Sequence, residues 1–256
     1  MKIADLIQRL DKTTQNLMES LYLEDCSLEI ENAILTLASS NDIKNEIPGL
    51  ESRLLRFHEA RQSGDDNERE QNLTDLYIHL HSGGALYLPW EREKLTGYSG
   101  HTCLPAGLLP VLFARHLVNA DTVVADLGAG NGIQGLLLQR LQSHRRTVQV
   151  ELSAEMIRMG HLYRKILGID ENRLSWIHGD MADFSFDGID LFYLYRPAKP
   201  TGGGDDLYRT VADKLLALTK TAMVFSVADC LEKYLKSGFE LLYSNGHITV
   251  FRNRIR

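Results

Sequence analysis

The sequence contains few cysteines, and their arrangement excludes two classes of site. Its three cysteines, Cys26, Cys103 and Cys230, lie far apart along the chain. They form neither the paired spacing of a zinc site nor an even-numbered disulfide framework. This usage is typical of a reducing compartment, so we expect a cytoplasmic protein with no metal centre.

Long apolar runs are also missing. No segment approaches the length of a membrane-spanning helix, which needs about 20 apolar residues. Residues 1–15 lack the apolar centre of a signal peptide. With 44% hydrophobic and 24% charged residues, the composition is that of an ordinary globular protein, and we expect no membrane partner.

Positive charge is scarce in the amino-terminal third. Residues 1–80 hold 8 Lys and Arg against 16 Asp and Glu, a balance of −8, and residues 81–256 hold 20 against 18, a balance of +2, which together give −6. An acidic segment disfavours contact with a phosphate backbone, so nucleic acid is the less favoured partner. The acidic excess fits either a basic partner or a solvated helical surface.

Apolar periodicity divides the chain into two parts. Residues 1–82 carry apolar side chains at spacings of three, four and seven, which predicts helices only, beginning with one over residues 1–23. From residue 121 onward, strand-like runs alternate with helical ones, as in an α/β sheet. We therefore predict an all-helical domain at residues 1–84 and an α/β domain at residues 85–256.

The stretch from residue 121 to 138 has the layout of a cofactor site. A β-branched run leads to Asp126, and Gly128, Gly130 and Gly132 follow before an apolar helical pattern begins. Glycines allow a backbone to turn tightly and to approach a ligand, and we expect the free amides of the following helix to face that ligand. A glycine cluster alone also fits a purely structural strand-to-helix turn, and that alternative stays open at this point.

The glycine spacing argues against a nicotinamide oxidoreductase. A dinucleotide fingerprint requires glycine at its first, third and sixth positions. Counted from Gly128, the sixth position is Ile133.

A second acidic residue ends the next predicted strand. Glu151 follows the run at residues 147–150 and comes 21 residues after Gly130. A carboxylate at this point can accept hydrogen bonds from both hydroxyls of a ribose. We therefore predict a nucleoside-containing ligand.

The pattern acidic-x-G-x-G-x-G at residues 126–132 resembles motif I of the class I S-adenosylmethionine (SAM) methyltransferases. The resemblance covers roughly residues 85–252. It implies a Rossmann-like sheet that ends in an antiparallel hairpin, with SAM as the cofactor and S-adenosylhomocysteine as the product. The hairpin is also indicated by Asn245-Gly246 between two strand-like runs.

The resemblance also implies a set of cofactor-binding residues. Gly179-Asp180-Met181 matches the family segment that lies against the adenine, and the segment before the first strand matches a lid over the methionine end. The residues implied in this way are Asp126, Gly128, Ala129, Gly130, Asn131, Gly132, Glu151, Leu152, Asp180, Met181, Tyr195, Tyr98 and Thr102.

The catalytic residues are less well indicated. The predicted strand at residues 188–195 ends where the family carries motif IV, but Leu194-Tyr195-Arg196-Pro197 departs from the Asn-Pro-Pro-Tyr of enzymes that act on exocyclic or amide nitrogens. If the acceptor needs a general base, the candidates are His101, His178 and Tyr195. For each of them, packing or surface exposure is the alternative.

Two functional hypotheses follow. The first is an enzyme that transfers a methyl group from SAM to an unidentified acceptor, either a small molecule or a protein. The alternative is a catalytically inactive SAM-binding protein that binds a partner through its acidic helical domain.

Overall fold

A computed structural model describes residues 26–82, 88, 90–91, 108–198, 203–228, 231–235 and 237–254 of the chain. The predicted helix at residues 1–23 lies outside these residues, as do His101 and the lid candidates Tyr98 and Thr102. Within the described residues, no helix has the length and apolar character needed to cross a membrane.

The amino-terminal part is helical in the structure. Gly49 and Gly64, both with positive φ, flank the third described helix, where they allow the chain to turn sharply. The helices are α1 (Cys26–Ser39), α2 (Asn41–Glu46), α3 (Leu50–Ser63) and α4 (Asp66–Ser82).

The remainder forms a seven-stranded sheet with the order β3-β2-β1-β4-β5-β7-β6. The first five strands are parallel, and β7 runs antiparallel to both β5 and β6. The predicted terminal hairpin is confirmed, and Gly246 turns it with a φ of 81°. The strands are β1 (Val123–Leu127), β2 (Arg146–Glu151), β3 (Leu174–His178), β4 (Leu191–Tyr195), β5 (Met223–Val227), β6 (Phe239–Ser244) and β7 (Ile248–Asn253).

Helices cover both faces of the sheet, as buried parallel strands require. They are α5 (Leu108–Ala114), continued by a 3₁₀ turn at Arg115–Leu117, and α6 (Ile133–Leu141), α7 (Ala154–Ile166), α8 (Gly203–Leu216) and α9 (Glu232–Leu235). Strand β4 begins at Leu191 instead of the predicted Gly188, because Gly188 has a φ of 78° that no extended strand accommodates.

The amino-terminal helices share a hydrophobic core with one face of the sheet. A single cluster of buried side chains extends from Ile30 in α1 through Leu136 in α6 to Val250 in β7. A second cluster, which includes Phe192 and Tyr208, fills the other face beneath α8 and α9. The division into two domains at residue 84 stays a prediction, because burial is continuous across the two parts.

A buried polar contact joins α4 to the glycine loop. The Asn131 side chain, 1% exposed, donates to the carbonyls of Leu80 at 2.8 Å and His81 at 3.1 Å. The Tyr163 hydroxyl donates to Leu80 as well, at 2.8 Å. The last carbonyls of a helix have no partners within it, so these side chains satisfy the carboxyl end of α4.

Ion pairs join the two parts at the surface. Glu29 pairs with Arg140, and Glu46 pairs with Arg158 at 2.7 Å. Exposed pairs of this kind contribute little to stability. They do mean that part of the acidic excess of the helices is matched by arginines of the α/β part.

We predict that Asn131→Ala lowers the free energy of unfolding by about 1–3 kcal/mol, because it removes the buried amide that donates to the carbonyls of Leu80 and His81 at the end of α4. Urea denaturation measures the change. The matched control is Asn72→Ala, whose amide donates to Glu68 within one exposed helix and which should cost less than about 1 kcal/mol. Equal losses in the two variants would contradict the role of Asn131.

Candidate functional site

The predicted motifs meet at the carboxyl edge of the parallel strands. The glycine loop follows β1, Glu151 ends β2, Gly179 follows β3 and Arg196 follows β4. The glycine loop meets the segments after β3 and β4 at Gly128. A Cβ added to Gly128 would lie 2.4 Å from Cβ of Pro197 and 3.1 Å from Cε of Met181. This edge of an open α/β sheet is the ordinary place for a ligand.

The three glycines of the loop serve different purposes. A Cβ on Gly132 would collide with the Gln149 side chain at 2.1 Å, and a Cβ on Gly128 would collide with Pro197, so both are explained by packing within the protein. At Gly130, the nearest atom to such a Cβ among the described residues is Cε of Met156, at 3.7 Å. Gly130 is therefore the position where the chain leaves room beside the loop.

The amides of the loop are hydrogen-bonded within the protein. Gly128 and Ala129 donate to the Val150 carbonyl at 2.9 and 3.1 Å, and Gly132 donates to Ala129 at 2.9 Å. Gly130 donates to Glu151, and Ile133 donates to the Asn131 side chain. The expectation that free amides at the start of α6 face the ligand is thus wrong for Gly132 and Ile133, because acceptors of the chain itself already occupy them.

Glu151 holds the loop in place. It is 4% exposed, and its Oε2 accepts from Gly130 at 2.7 Å while its Oε1 accepts from Ser153 at 2.8 Å. Burial raises the pKa of this carboxyl, and the amides that donate to it oppose the rise. Each carboxylate oxygen accepts more than one hydrogen bond, so Glu151 retains acceptor capacity for the hydroxyls of a ribose.

Asp126 is a buried acid of β1 that stands in register with Gln149 of β2. It is 3% exposed, and its Oδ2 has no hydrogen-bond partner. Burial, followed by the charge of Glu151, raises the pKa of Asp126 to about 8. At neutral pH this side chain is therefore predominantly a neutral carboxylic acid.

A third acid, Glu91, belongs to the same neighbourhood and was not among the predicted site residues. It is 0% exposed and its Oε2 accepts from the Leu88 amide at 2.7 Å. Its charge contributes to the raised pKa of Glu151. No sequence pattern marks it, because a glutamate in a connecting segment is ordinary.

Several predicted cofactor residues are engaged with the protein itself. The Asn131 side chain is taken by the end of α4, which leaves only its backbone for a ligand. The Leu152 carbonyl accepts from His178. Asp180 is half-buried and accepts from the Ala182 amide at 3.0 Å, and Met181 is 9% exposed against the loop.

The two described base candidates lie far apart. His178 ends β3 and Tyr195 ends β4, and the order β3-β2-β1-β4 separates them by three strand spacings, roughly 14 Å in total. His178 is exposed, and its Nε2 lies 2.9 Å from the Leu152 carbonyl. A single acceptor therefore cannot use both residues, and Tyr195 is the one that ends β4, two residues before Pro197, whose side chain lies beside Gly128.

Backbone strain marks the same edge of the sheet. Arg196 and Ala228 have φ values of 39° and 64°, and each follows a neighbouring strand, β4 or β5. Non-glycine residues in this region cost about 1–3 kcal/mol and concentrate at functional sites.

We predict that Asp126→Asn stabilises the ligand-free protein more at pH 8 than at pH 5. Between the ordinary pKa of 3.8 and the folded pKa of about 8, the folded chain keeps a proton that the unfolded chain has released. Stability of the unsubstituted protein therefore falls as pH rises through this window, by up to about 1.4 kcal/mol per pH unit. Urea midpoints at the two pH values measure the difference.

The matched control for this prediction is Asp121→Asn, at an exposed position. Its urea midpoints should follow those of the unsubstituted protein at both pH values. Parallel pH dependence in Asp126→Asn would contradict the raised pKa.

Comparison with known proteins gives structural matches only. No protein-family model matches the chain, and no curated protein does. TrmN from Thermus thermophilus aligns at 14% identity with a TM-score of 0.46, covering 64% of this chain and 53% of that one. A methyltransferase from Geobacter sulfurreducens aligns at 16% identity with a TM-score of 0.44, covering 57% and 77%. YcgJ from Bacillus subtilis aligns at 17% identity with a TM-score of 0.38, and this chain spans 50% of its length.

The fold itself is set by the strand order and directions. Five parallel strands continue into an antiparallel pair, with β7 inserted between β5 and β6. The chain therefore has the Rossmann-like fold of the class I SAM-dependent methyltransferases that its glycine motif resembles.

Proposed function

We propose that the protein is a SAM-dependent methyltransferase. SAM would lie along the carboxyl edge of β1, β2 and β4. Its ribose would bind Glu151, and the main chain at Gly130 would contact the cofactor. The observation that carries this proposal is the hydrogen bond from Gly130 to Glu151, 2.7 Å long and buried.

That bond argues against a ligand bound through phosphate. In dinucleotide sites the loop amides and the helix amino terminus receive the pyrophosphate. Here the amides of Gly128, Ala129, Gly130 and Gly132 already donate to acceptors of the chain. The buried acid Glu151 also stands beside the loop, and a carboxylate disfavours a phosphate. SAM carries a sulfonium and an ammonium instead of a pyrophosphate.

The proposed chemistry is mainly positioning. Attack by the acceptor on the methyl carbon forms one bond as the carbon–sulfur bond breaks, and the electron pair of that bond stays on the sulfur of S-adenosylhomocysteine. The acceptor must be held in line, about 3–3.5 Å from the methyl group. Tyr195, half-buried at the end of β4, is the described residue proposed to line the acceptor side.

The acceptor is proposed to be a small molecule or a protein, because the acidic helical part disfavours a nucleic-acid backbone. The alternative, an inactive SAM-binding protein with a partner on its helices, is less favoured. Four acids on these helices, Glu29, Glu31, Glu46 and Asp75, already pair with arginines of the same chain.

We predict that the purified protein binds SAM and S-adenosylhomocysteine and does not bind NAD. Isothermal titration calorimetry with the three ligands on one preparation measures this. Heat from NAD and none from SAM would overturn the proposed function.

We predict that Gly130→Ala weakens SAM binding by roughly 5- to 150-fold, because a new Cβ enters ligand volume at an overpacking cost of about 1–3 kcal/mol. The matched control is Gly168→Ala. Both glycines have positive φ, 58° and 64°, and a Cβ on Gly168 meets nothing within 4 Å.

Thermal melting and SAM titration are performed on both variants. Strain at positive φ should lower the stability of both by a similar amount, whereas only Gly130→Ala should lose affinity. Unchanged affinity in folded Gly130→Ala would mean that this glycine serves only the turn. Glu151→Ala is a poorer test, because Glu151 also holds the loop through Gly130 and Ser153.

A further inference from the structure

Glu91 is a buried carboxylate with an unused oxygen. Its side chain is 0% exposed, and Oε2 accepts from the Leu88 amide at 2.7 Å. Oε1 has no hydrogen-bond partner. A buried acceptor without a donor is unfavourable, and native structures rarely leave one unless a ligand, ion or water completes the site.

The surroundings of Glu91 are acidic. Its charge acts on Glu151, and the charge of Glu151 acts in turn on Asp126. Among the ion pairs of the described residues, none includes any of these three acids. Asp126 is predominantly neutral at neutral pH, but a buried negative charge on Glu91 or Glu151 without a counter-ion strongly destabilises a folded chain, so these two acids call for a cation.

A metal ion is a poor match for that cation. The residues that the structure describes contain no group of three or more His, Cys, Asp or Glu arranged to hold one. Oε1 of Glu91 requires a hydrogen-bond donor, and an ammonium offers three. A sulfonium offers charge but no donor, so it would leave Oε1 unsatisfied.

We infer that Glu91 binds the α-ammonium of the methionine end of the cofactor, through Oε1. This inference rests on the proposed function, and it assigns a binding residue that the glycine motif does not contain. Glu151 would hold the ribose and Glu91 the amino group, so the two acids would bind different parts of one cationic ligand.

The test compares three ligands by calorimetry on the full chain. SAM and S-adenosylhomocysteine both carry the α-ammonium and the α-carboxylate, SAM alone adds the sulfonium, and 5′-methylthioadenosine carries none of these charges. Glu91→Gln keeps the shape of the side chain and removes its charge. It should weaken SAM and S-adenosylhomocysteine on the order of tenfold or more and leave 5′-methylthioadenosine unchanged.

Ligand-free stability gives a second readout. Glu91→Gln should melt at the same temperature as the unsubstituted protein or higher, because it removes an unpaired buried charge. Glu59→Gln, the same substitution at an exposed position, should change neither binding nor melting.

Each other outcome overturns the inference. An equal loss of affinity for all three ligands would make Glu91 a structural residue. A loss of affinity for SAM alone would mean that Glu91 contacts the sulfonium instead of the ammonium. Unchanged affinities would remove Glu91 from the site. If the unsubstituted protein binds Mg²⁺ or Mn²⁺ and Glu91→Gln abolishes that binding, Glu91 is a metal ligand. Failure of the unsubstituted protein to bind any of the three nucleosides would instead defeat the proposed function itself, and the inference with it.

Discussion

The candidate site depends on one buried hydrogen bond, from the Gly130 amide to Glu151 at 2.7 Å. It ties the loop after β1 to the end of β2, and the amide of Ser153 holds the second oxygen of the same carboxylate. In a buried setting such a bond is stronger than in water, and breaking it leaves both partners unsatisfied. The bond fixes the shape of the loop, and it also occupies an amide that a phosphate would need, so the same contact underlies the geometry of the loop and the proposed choice of ligand.

The helical part is built into this arrangement. Asn131, in the middle of the glycine loop, binds the carbonyls at the end of α4, and the buried Gln134 links Tyr77 of α4 to Tyr193 of β4. The apolar core continues from α1 into the sheet. The loop is therefore braced from two sides, by β2 through Glu151 and by α4 through Asn131. A shift of α4 would therefore displace Asn131 and, with it, the glycine loop.

The acids around the loop give the site its electrostatic character. Asp126, Glu151 and Glu91 are all at most 4% exposed, and burial raises the pKa of the first two. Such a group of acids is unfavourable in an empty site and favourable around a cationic ligand. Instability of the ligand-free site is thus the physical counterpart of the proposed preference for SAM over a dinucleotide.

The sequence alone determined the features that neighbouring residues encode. The glycine spacing from Gly128 to Gly132, the acid at position 151 and the Asn245-Gly246 turn follow from local backbone chemistry, and they predicted the α/β sheet and its terminal hairpin. Only the tertiary structure decided which partners those residues take. That Gly130 donates to Glu151, that Asn131 serves α4 and that Glu91 is buried near the loop all depend on contacts between segments distant in sequence. Such contacts are set by packing of the whole chain, and no local pattern carries them.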